Sequence, residues 1–489
     1  MPMTRSLLGK QFTYSEARKE ETLNFLQELT YVTKAAAFRD HIELKSPLMK
    51  AIIAHHLCLS SAACEVHISN RSEWLNCSFN LSVPVSIQRS GRESSRLLIR
   101  FPLPYKVAGP DNGDEKTKCE AATYAWFNKE CPDIPIASLH GFGLSTGQRC
   151  SVPCCYMRHQ ASTLDGLGVG YMLFDNVKDG KMLSLSYAER CHDTTLRRNL
   201  FRDLARIQLV LSRKPLPCIG SLTINDDSIL DINNRPLTLE ICHLENENIP
   251  IDTQRKTTYS TVDTYIHDLL SVHDNRLRYQ LNRASSMKDC ISQMCALTTM
   301  RTLRSGPFVL TLTDLHASNF FVDDNWHITK LIDLEWACVR PIEMQHPPYW
   351  LTSQAVDRID ETQYNEMCTE FIDVFEQMEK TMLSGDERSI AIIGCDFSYT
   401  ELLKRLWEKG TFWYCFALDS LTELHRIFYH RMRPRYQIPY SQSQESKFDT
   451  GFYITTPTFW CLKAWDFAKS KVKDKEKYDE QLRDAFQVS

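Results

Sequence analysis

Glycine is scarce in this sequence, at 17 of 489 residues. That argues against a flexible or repetitive architecture, and neither an internal repeat nor a low-complexity linker is found. Positive charge is not in surplus. Lys plus Arg number 57 against 61 Asp plus Glu, for a net charge of −4, so the basic excess expected of a general nucleic-acid binder is missing. No apolar run is long enough to cross a bilayer; Ala51–Leu59 is short and carries His55 and His56. The N-terminus lacks the apolar core of a signal peptide, and Glu16, Glu20 and Glu21 interrupt the basic residues a mitochondrial presequence needs. No CxxC occurs among the 18 cysteines, which are scattered from Cys58 to Cys461. The tightest group, Cys150, Cys154 and Cys155, has no His/Cys knuckle following at zinc spacing. The expectation is a protein of the reducing cytosol, its cysteines mostly buried thiols acting as small hydrophobes.

What is present is ordinary globular composition, 43% hydrophobic and 24% charged. At about 150 residues per domain the length suggests roughly three units, and a bilobal enzyme fits nearly as well. Leu23, Leu26, Leu29 and Val32 recur at helical spacing, and Ser46-Pro47 opens a second helix. After Cys64 short apolar runs take over: Cys64–Ile68, Phe79–Ile87, Arg96–Phe101 and Val169–Phe174. One helix, from about Glu115 to Lys129 and capped by the Asp111–Asp114 segment, is embedded among them. Beyond residue 185 the chain reads as mainly helical. A strand pair, Phe308–Leu312 with Ile328–Ile332, breaks that texture, with Phe320–Val322 between. The charged segment Lys469–Lys477 is expected to fray. The fold class is therefore α+β. The division is an N-terminal helical extension (1–63), a β-rich N-lobe (64–175), a larger helical C-lobe (176–440) and a helical, charged tail (441–489).

The stretch Phe308–Ala337 carries the chemistry. Asp314 follows an apolar strand, Asn319 comes five residues later, and Asp333 ends the next hairpin. Phosphoryl transfer needs a group to orient the attacking hydroxyl, oxygen ligands for Mg²⁺ and cations on the phosphate chain. An Asp-x4-Asn loop with a second carboxylate nearby offers the first two. The alternative is that Asp314 and Asn319 cap a turn and Asp333 ends a hairpin.

Thr313-Asp-Leu-His-Ala-Ser-Asn319 followed by Leu331-Ile-Asp-Leu-Glu-Trp-Ala337 resembles the catalytic and metal-binding loops of the aminoglycoside phosphotransferase and choline kinase superfamily. Those loops usually read H-G-D-x-x-x-x-N and I-D-W/F. The overall texture is similar to the fungal branch of that family. The resemblance implies a protein-kinase-like fold with ATP and Mg²⁺ as cofactors. Asp314 would be the catalytic aspartate, and Asn319 and Asp333 the metal ligands. It implies a phosphate loop in which the backbone amides of Ser78, Phe79 and Asn80, with the Ser78 hydroxyl, reach phosphate oxygens, Cys77 standing in place of a glycine. Arg100 would be the strand cation on the phosphates, paired with Glu120. The alternatives are an edge charge for Arg100 and a solvated pair with Lys116 for Glu120. Asp175 and Val177 would lie in the adenine hinge. A small-molecule hydroxyl acceptor, amino alcohol, sugar or aminoglycoside-like, is implied, with Trp350, Asp357 and Asp360 near it; neither nucleic acid nor membrane is an expected partner. Asp357 and Asp360 also read as helix caps. Leu312 stands where the family has a histidine, so a catalytically weak or inactive nucleotide-binding module is the competing expectation. A protein kinase is excluded, because neither D-F-G nor A-P-E follows.

Overall fold

Residues 81, 83, 85 and 87 of the strand Asn80–Arg89 are apolar and almost fully buried, as are 97, 99 and 101 of Ser95–Pro102. Strand periodicity puts each set on one face, and that face packs against Phe38, Ile42, Met49, Ile52 and Ile53 of the helices Tyr31–Leu44 and Ser46–His56. Burying each such side chain is worth about 1.5–3 kcal/mol. Arg100 falls between Ile99 and Phe101 and therefore points to the opposite face. These two strands sit inside an eight-stranded antiparallel sheet, in the order Cys64–Ile68, Asn80–Arg89, Ser95–Pro102, Tyr171–Asp175, Leu139–Gly143, Arg149–Ser151 and Met157–His159. The short strand Leu75–Asn76 also pairs onto Asn80–Arg89. The computed structural model describes residues 4–7, 10–21, 23–59, 64–89, 94–151, 157–159, 164–225, 229–300, 308–354, 359–383, 398–420, 422–434 and 464–487.

The helix behind Arg100 spans Pro110–Glu130, several residues longer at its start than the sequence suggests. Gly109, at φ 102°, supplies the turn, and Pro110 opens the helix. Asp114, expected among the caps, instead accepts hydrogen bonds from the Ser145 amide (2.8 Å) and hydroxyl (2.7 Å).

Beyond the sheet, the helices Thr194–Ser212, Val262–Tyr279, Met287–Met300, Glu361–Leu383, Tyr399–Lys409 and Thr411–Asp419 surround the largest apolar cluster. The termini meet. Ala17 and Phe25 pack on Tyr478, Leu482 and Phe486 of the helix Ala464–Gln487. Lys471 donates to the carbonyls of Arg278 (3.2 Å) and Gln280 (2.8 Å). The segment expected to fray is thus held in a helix by buried aromatic and lysine contacts, which a charge count does not reveal. Thr4–Leu7 and Lys10–Thr13 form a hairpin where only helix was expected. Fourteen described cysteines are free thiols, nine of them buried; Cys154 and Cys155 lie outside the described residues. No described helix is long and apolar enough to cross a membrane.

Buried His273 contacts the Leu418 carbonyl through Nε2 at 2.9 Å. Burial, with Arg276 and Arg283 nearby, depresses its pKa from 6.5 to about 3, against the opposing pull of the Leu418 carbonyl and Asp419. Between about pH 6.5 and 3 the unfolded state therefore binds a proton that the folded state refuses, so this residue's stabilisation falls as pH is lowered. The expected slope is about 1.4 kcal/mol per pH unit. His273→Gln should flatten the fall in melting free energy between pH 6.5 and 5 by about that amount. An unchanged slope would show that His273 does not titrate on unfolding.

The strand Phe308–Leu312 pairs with Ala337–Pro341, not with Ile328–Ile332 as its spacing suggested. Ile328–Leu331 pairs with Phe320–Val322. All five residues of Ala337–Pro341 are buried, so no alternation marks that strand in the sequence. The crossed pairing brings the ends of two loops, one holding Asp314 and one holding Asp333, side by side.

Candidate active site

Asp314 lies at the start of the loop that leaves Phe308–Leu312. Asn319 is buried, and its Nδ2 donates to the Asp314 carbonyl at 2.8 Å, closing the loop on itself. The Ile332 amide donates to the Asn319 carbonyl at 2.9 Å, so this loop also holds the approach to Asp333. Trp350 Nε1 donates to the Leu315 carbonyl at 2.7 Å from below. Asp333 has a left-handed backbone, φ 63°, which is uncommon for a non-glycine residue though aspartate tolerates it better than most. A small cleft lined by Asp314, Asn319, Asp333 and Trp336 lies between the two loops. The Trp336 indole N–H is buried there and finds no acceptor among the described residues.

Arg100 reaches this cleft from the sheet. Its guanidinium pairs with Glu120 of the Pro110–Glu130 helix and, through Nη1, with Asp333 at 3.1 Å. A second buried cation stands beside it. Lys116 Nζ lies 2.5 Å from Glu335 Oε2 and 3.8 Å from Glu120 Oε2, and donates to Asn80 Oδ1 at 3.0 Å. Asn80 Nδ2 donates in turn to Glu335 at 2.6 Å. The anchoring helix is fixed on its other side by a buried pair, Glu115 with Arg235, at 3.0 Å.

The balance of charge tests whether a divalent cation fits. Arg100 and Lys116 face Glu120, Asp333 and Glu335, with Asp314 a fourth carboxylate nearby. Burial pushes the Asp333 carboxyl well up, Glu335 adds to the push, and Arg100 only partly opposes it. Burial and Glu335 raise Asp314 to about 7. Glu335 itself is held low despite burial, because Lys116 and Arg100 outweigh the lost hydration. The site is therefore short of positive charge, and its oxygen donors are hard ligands suited to Mg²⁺. Among the described residues no three His, Cys, Asp or Glu side chains form a ready-made metal cage. Mg²⁺ commonly binds through one or two carboxylates plus substrate phosphates, so Asp333 with Asn319 suffices.

No family model and no curated protein matches the chain. The solved structures it is similar to include three kinases and phosphotransferases. One is an ethanolamine kinase of Plasmodium vivax: 10% identity, TM-score 0.39, covering 87% of this chain and 86% of that one. Another is a macrolide 2'-phosphotransferase type I: 11% identity, TM-score 0.36, covering 82% and 98%. The third is the macrolide 2'-phosphotransferase of Brachybacterium faecium: 10% identity, TM-score 0.32, covering 81% and 99%.

The structure brings Asp314, Asn319, Asp333, Arg100 and Glu120 together. Other expectations change. The Asn80 side chain is engaged with Lys116 and Glu335 and is not open to a ligand. Phe79 is buried against Trp336, ring centroids 5.2 Å apart, while Cys77 and Ser78 are exposed; the expectation there concerns backbone amides and the Ser78 hydroxyl, not the Phe79 and Asn80 side chains. Glu120 is not a solvated partner of Lys116; both are buried, and each has a stronger partner elsewhere. At the hinge, the Asp175 carboxylate pairs with His140 at 2.7 Å. The Asp175 amide bonds the Ser138 carbonyl and the Asn176 amide the Arg96 carbonyl. The Val177 amide carries no hydrogen bond among the described residues. Trp350 is a buried brace under the Asp314 loop, packed on Tyr187 and Phe320, and not an exposed acceptor wall. Asp360 is exposed and caps the helix Glu361–Leu383 by accepting from the Gln363 amide at 2.9 Å. Asp357 lies outside the described residues.

Sequence reasoning missed Lys116 as a buried cation, Glu335 as its partner, and Glu240. Burial, with Asp419 and Asp314 close by, raises Glu240 to about 7. The Leu239–Asn246 helix that carries it is short, and its acidic residues look like any solvated face in the sequence. The signal for Glu335 was available: it follows Asp333 by two residues in an otherwise apolar stretch.

Proposed function

We propose that the chain is a Mg²⁺-ATP-dependent phosphotransferase that moves the γ-phosphate to a hydroxyl of a small molecule. The observation that carries this reading is Arg100, anchored by Glu120 and reaching Asp333 at the cleft that Asp314 and Asn319 line. Arg100 contacts phosphate oxygens through the N–H groups that Glu120 and Asp333 leave free. Asp333 and Asn319 hold Mg²⁺, which when bound neutralises charge on the phosphates. Asp314 orients the acceptor hydroxyl and takes its proton. Backbone groups of Asp175–Val177 meet the adenine, with the free Val177 amide as donor. Glu240, whose carboxyl feels the charge of Asp314, adds a carboxylate on that side and favours an acceptor carrying a cationic amine over a neutral sugar.

The second reading, a nucleotide-binding module without transferase activity, is favoured by Leu312, by Cys77 and by Arg100 where a lysine is usual. Two measurements separate the readings. Millimolar ATP with Mg²⁺ should raise the melting temperature by several degrees, and no shift would remove both. The purified chain with γ-labelled ATP and a fractionated metabolite extract should then yield labelled small molecules. Binding without any labelled product would favour the second reading.

A further inference from the structure

Thr313 has a register partner that its backbone does not use. The ladder between Phe308–Leu312 and Ala337–Pro341 ends at the pair Leu312 with Ala337. One step further in the same register, Thr313 stands opposite Trp336. There the strand has already turned away into the Asp314 loop. Its side chain makes the missing rung: Thr313 Oγ1 donates to the Trp336 carbonyl at 2.6 Å.

We infer that this hydroxyl is a positioning group, which fixes Asp314 relative to the Asp333–Glu335 loop and the phosphate side of the cleft. This inference rests on the phosphotransferase reading for its consequence, though not for its geometry. Trp336 is the junction. Its ring lies edge-on to Phe79 of the loop before Asn80, and Lys116 Nζ sits 5.6 Å from its centroid. The residue that receives the Thr313 hydroxyl thus also touches the sheet and the Pro110–Glu130 helix. On the other side, the residue after Thr313 is Asp314, and the one beyond it is Leu315, held by Trp350. The loop is gripped at Thr313, Leu315 and Asn319, and the Asp314 carboxylate stands between the first two grips. A side-chain rung serves here where a backbone rung cannot. It leaves the Thr313 backbone free to bend out of the strand, as a carboxylate presented to a cleft requires. A displacement of about 1 Å at a reacting group can cost on the order of 100-fold in rate, so a single 2.6 Å bond in this place has leverage.

The test uses Thr313→Val, which keeps the shape and β-branching, and Thr313→Ser, which keeps the hydroxyl. Amide hydrogen exchange is followed at Asn319, whose N–H is bonded to the His316 carbonyl. Valine should speed exchange there about tenfold and serine should not, with exchange in Val309–Thr311 unchanged. Hydrolysis of γ-labelled Mg-ATP supplies the kinetic arm. Valine should lower kcat at least tenfold with KM for Mg-ATP within about threefold, and serine should restore kcat to within threefold. Equal exchange at Asn319 in all three proteins would overturn the inference, whatever the kinetics. So would a serine variant as impaired as valine. If the parent chain neither binds nor hydrolyses Mg-ATP, the phosphotransferase reading fails, and the exchange arm still decides whether the rung orders the loop.

Discussion

Asp314→Asn should abolish phosphoryl transfer, by roughly 10³-fold or more, while Mg-ATP binds with an affinity within about threefold of the parent. General-base and orienting contributions of a positioned carboxylate are typically 10²–10⁴-fold. Asparagine keeps the shape but neither accepts the hydroxyl proton nor carries the charge that aligns it. The loop should survive the change, because Asn319 bonds the Asp314 backbone carbonyl and not its carboxylate. Thr313 and Trp350 likewise hold the loop through groups other than the Asp314 side chain. The substitution even removes a carboxylate from a site rich in them, so the fold is not expected to weaken. Labelled transfer to acceptors in a metabolite extract measures the first effect, and thermal shift with Mg-ATP measures the second. Transfer at near-parent rates would remove Asp314 from its role. A folded variant that no longer binds nucleotide would place Asp314 among the binding groups instead.

Much of this site was legible because its chemistry is compressed into one stretch. Asp314, Asn319 and Asp333 fall within 20 residues; each alone could cap a turn or end a hairpin, and it is the combination of strand, Asp-x4-Asn and second carboxylate that points to one site. Arg100 and Glu120 were legible only through the resemblance, which places a cation on this strand and its partner on the following helix; the residues alone left an edge charge as the alternative. The illegible parts share a physical cause. Lys116 and Glu335 are 219 residues apart in the chain, and nothing local says that each will neutralise the other. Glu240 depends on where a short helix docks. Ala337–Pro341 is buried throughout, so it lacks the alternation that reveals a strand, and its pairing with Phe308–Leu312 was misassigned to the neighbouring hairpin. Trp350 and Asp360 show the opposite error. Both were placed near the acceptor because they follow the Asp333 loop, with a helix cap the alternative for Asp360; packing makes Trp350 a brace, and Asp360 takes the cap. The helix at the C-terminus was obscured by its charge. Lys471 and Lys475 are buried by contacts with backbone carbonyls and with Asp479, which composition alone reads as solvation.

Lys116→Met should destabilise the chain by about 3–5 kcal/mol, the usual cost of leaving a buried charge without its partner. Lys116 is 2% exposed and Glu335 3%, so water cannot replace the lost cation at Glu335. Asn80 remains as a donor to Glu335, but a neutral amide does not compensate a carboxylate. Arg100 cannot substitute, since it is already committed to Glu120 and Asp333. Glu335→Gln should cost less, because Lys116 retains Asn80 and sits near Glu120. The double variant Lys116→Met with Glu335→Leu removes both charges and should recover a large part of the loss, since a buried pair replaced by apolar groups is often close to neutral. A double-mutant cycle by urea unfolding reads the coupling directly. A cost below about 1 kcal/mol for Lys116→Met alone would mean that the pair is hydrated and not a buried link between helix and loop. If instead the double variant is as unstable as the single one, the two residues stabilise the chain through separate contacts. In the expected case the recovered protein should fold yet bind Mg-ATP poorly. Without Lys116 and Glu335, Asp333 loses one neighbour that raises its carboxyl and one that lowers it, but Asn80 and Trp336 lose the contacts that hold the loop beside the cleft. That pairing of restored stability with impaired binding would separate what Lys116 and Glu335 do for the fold from what they do for the site.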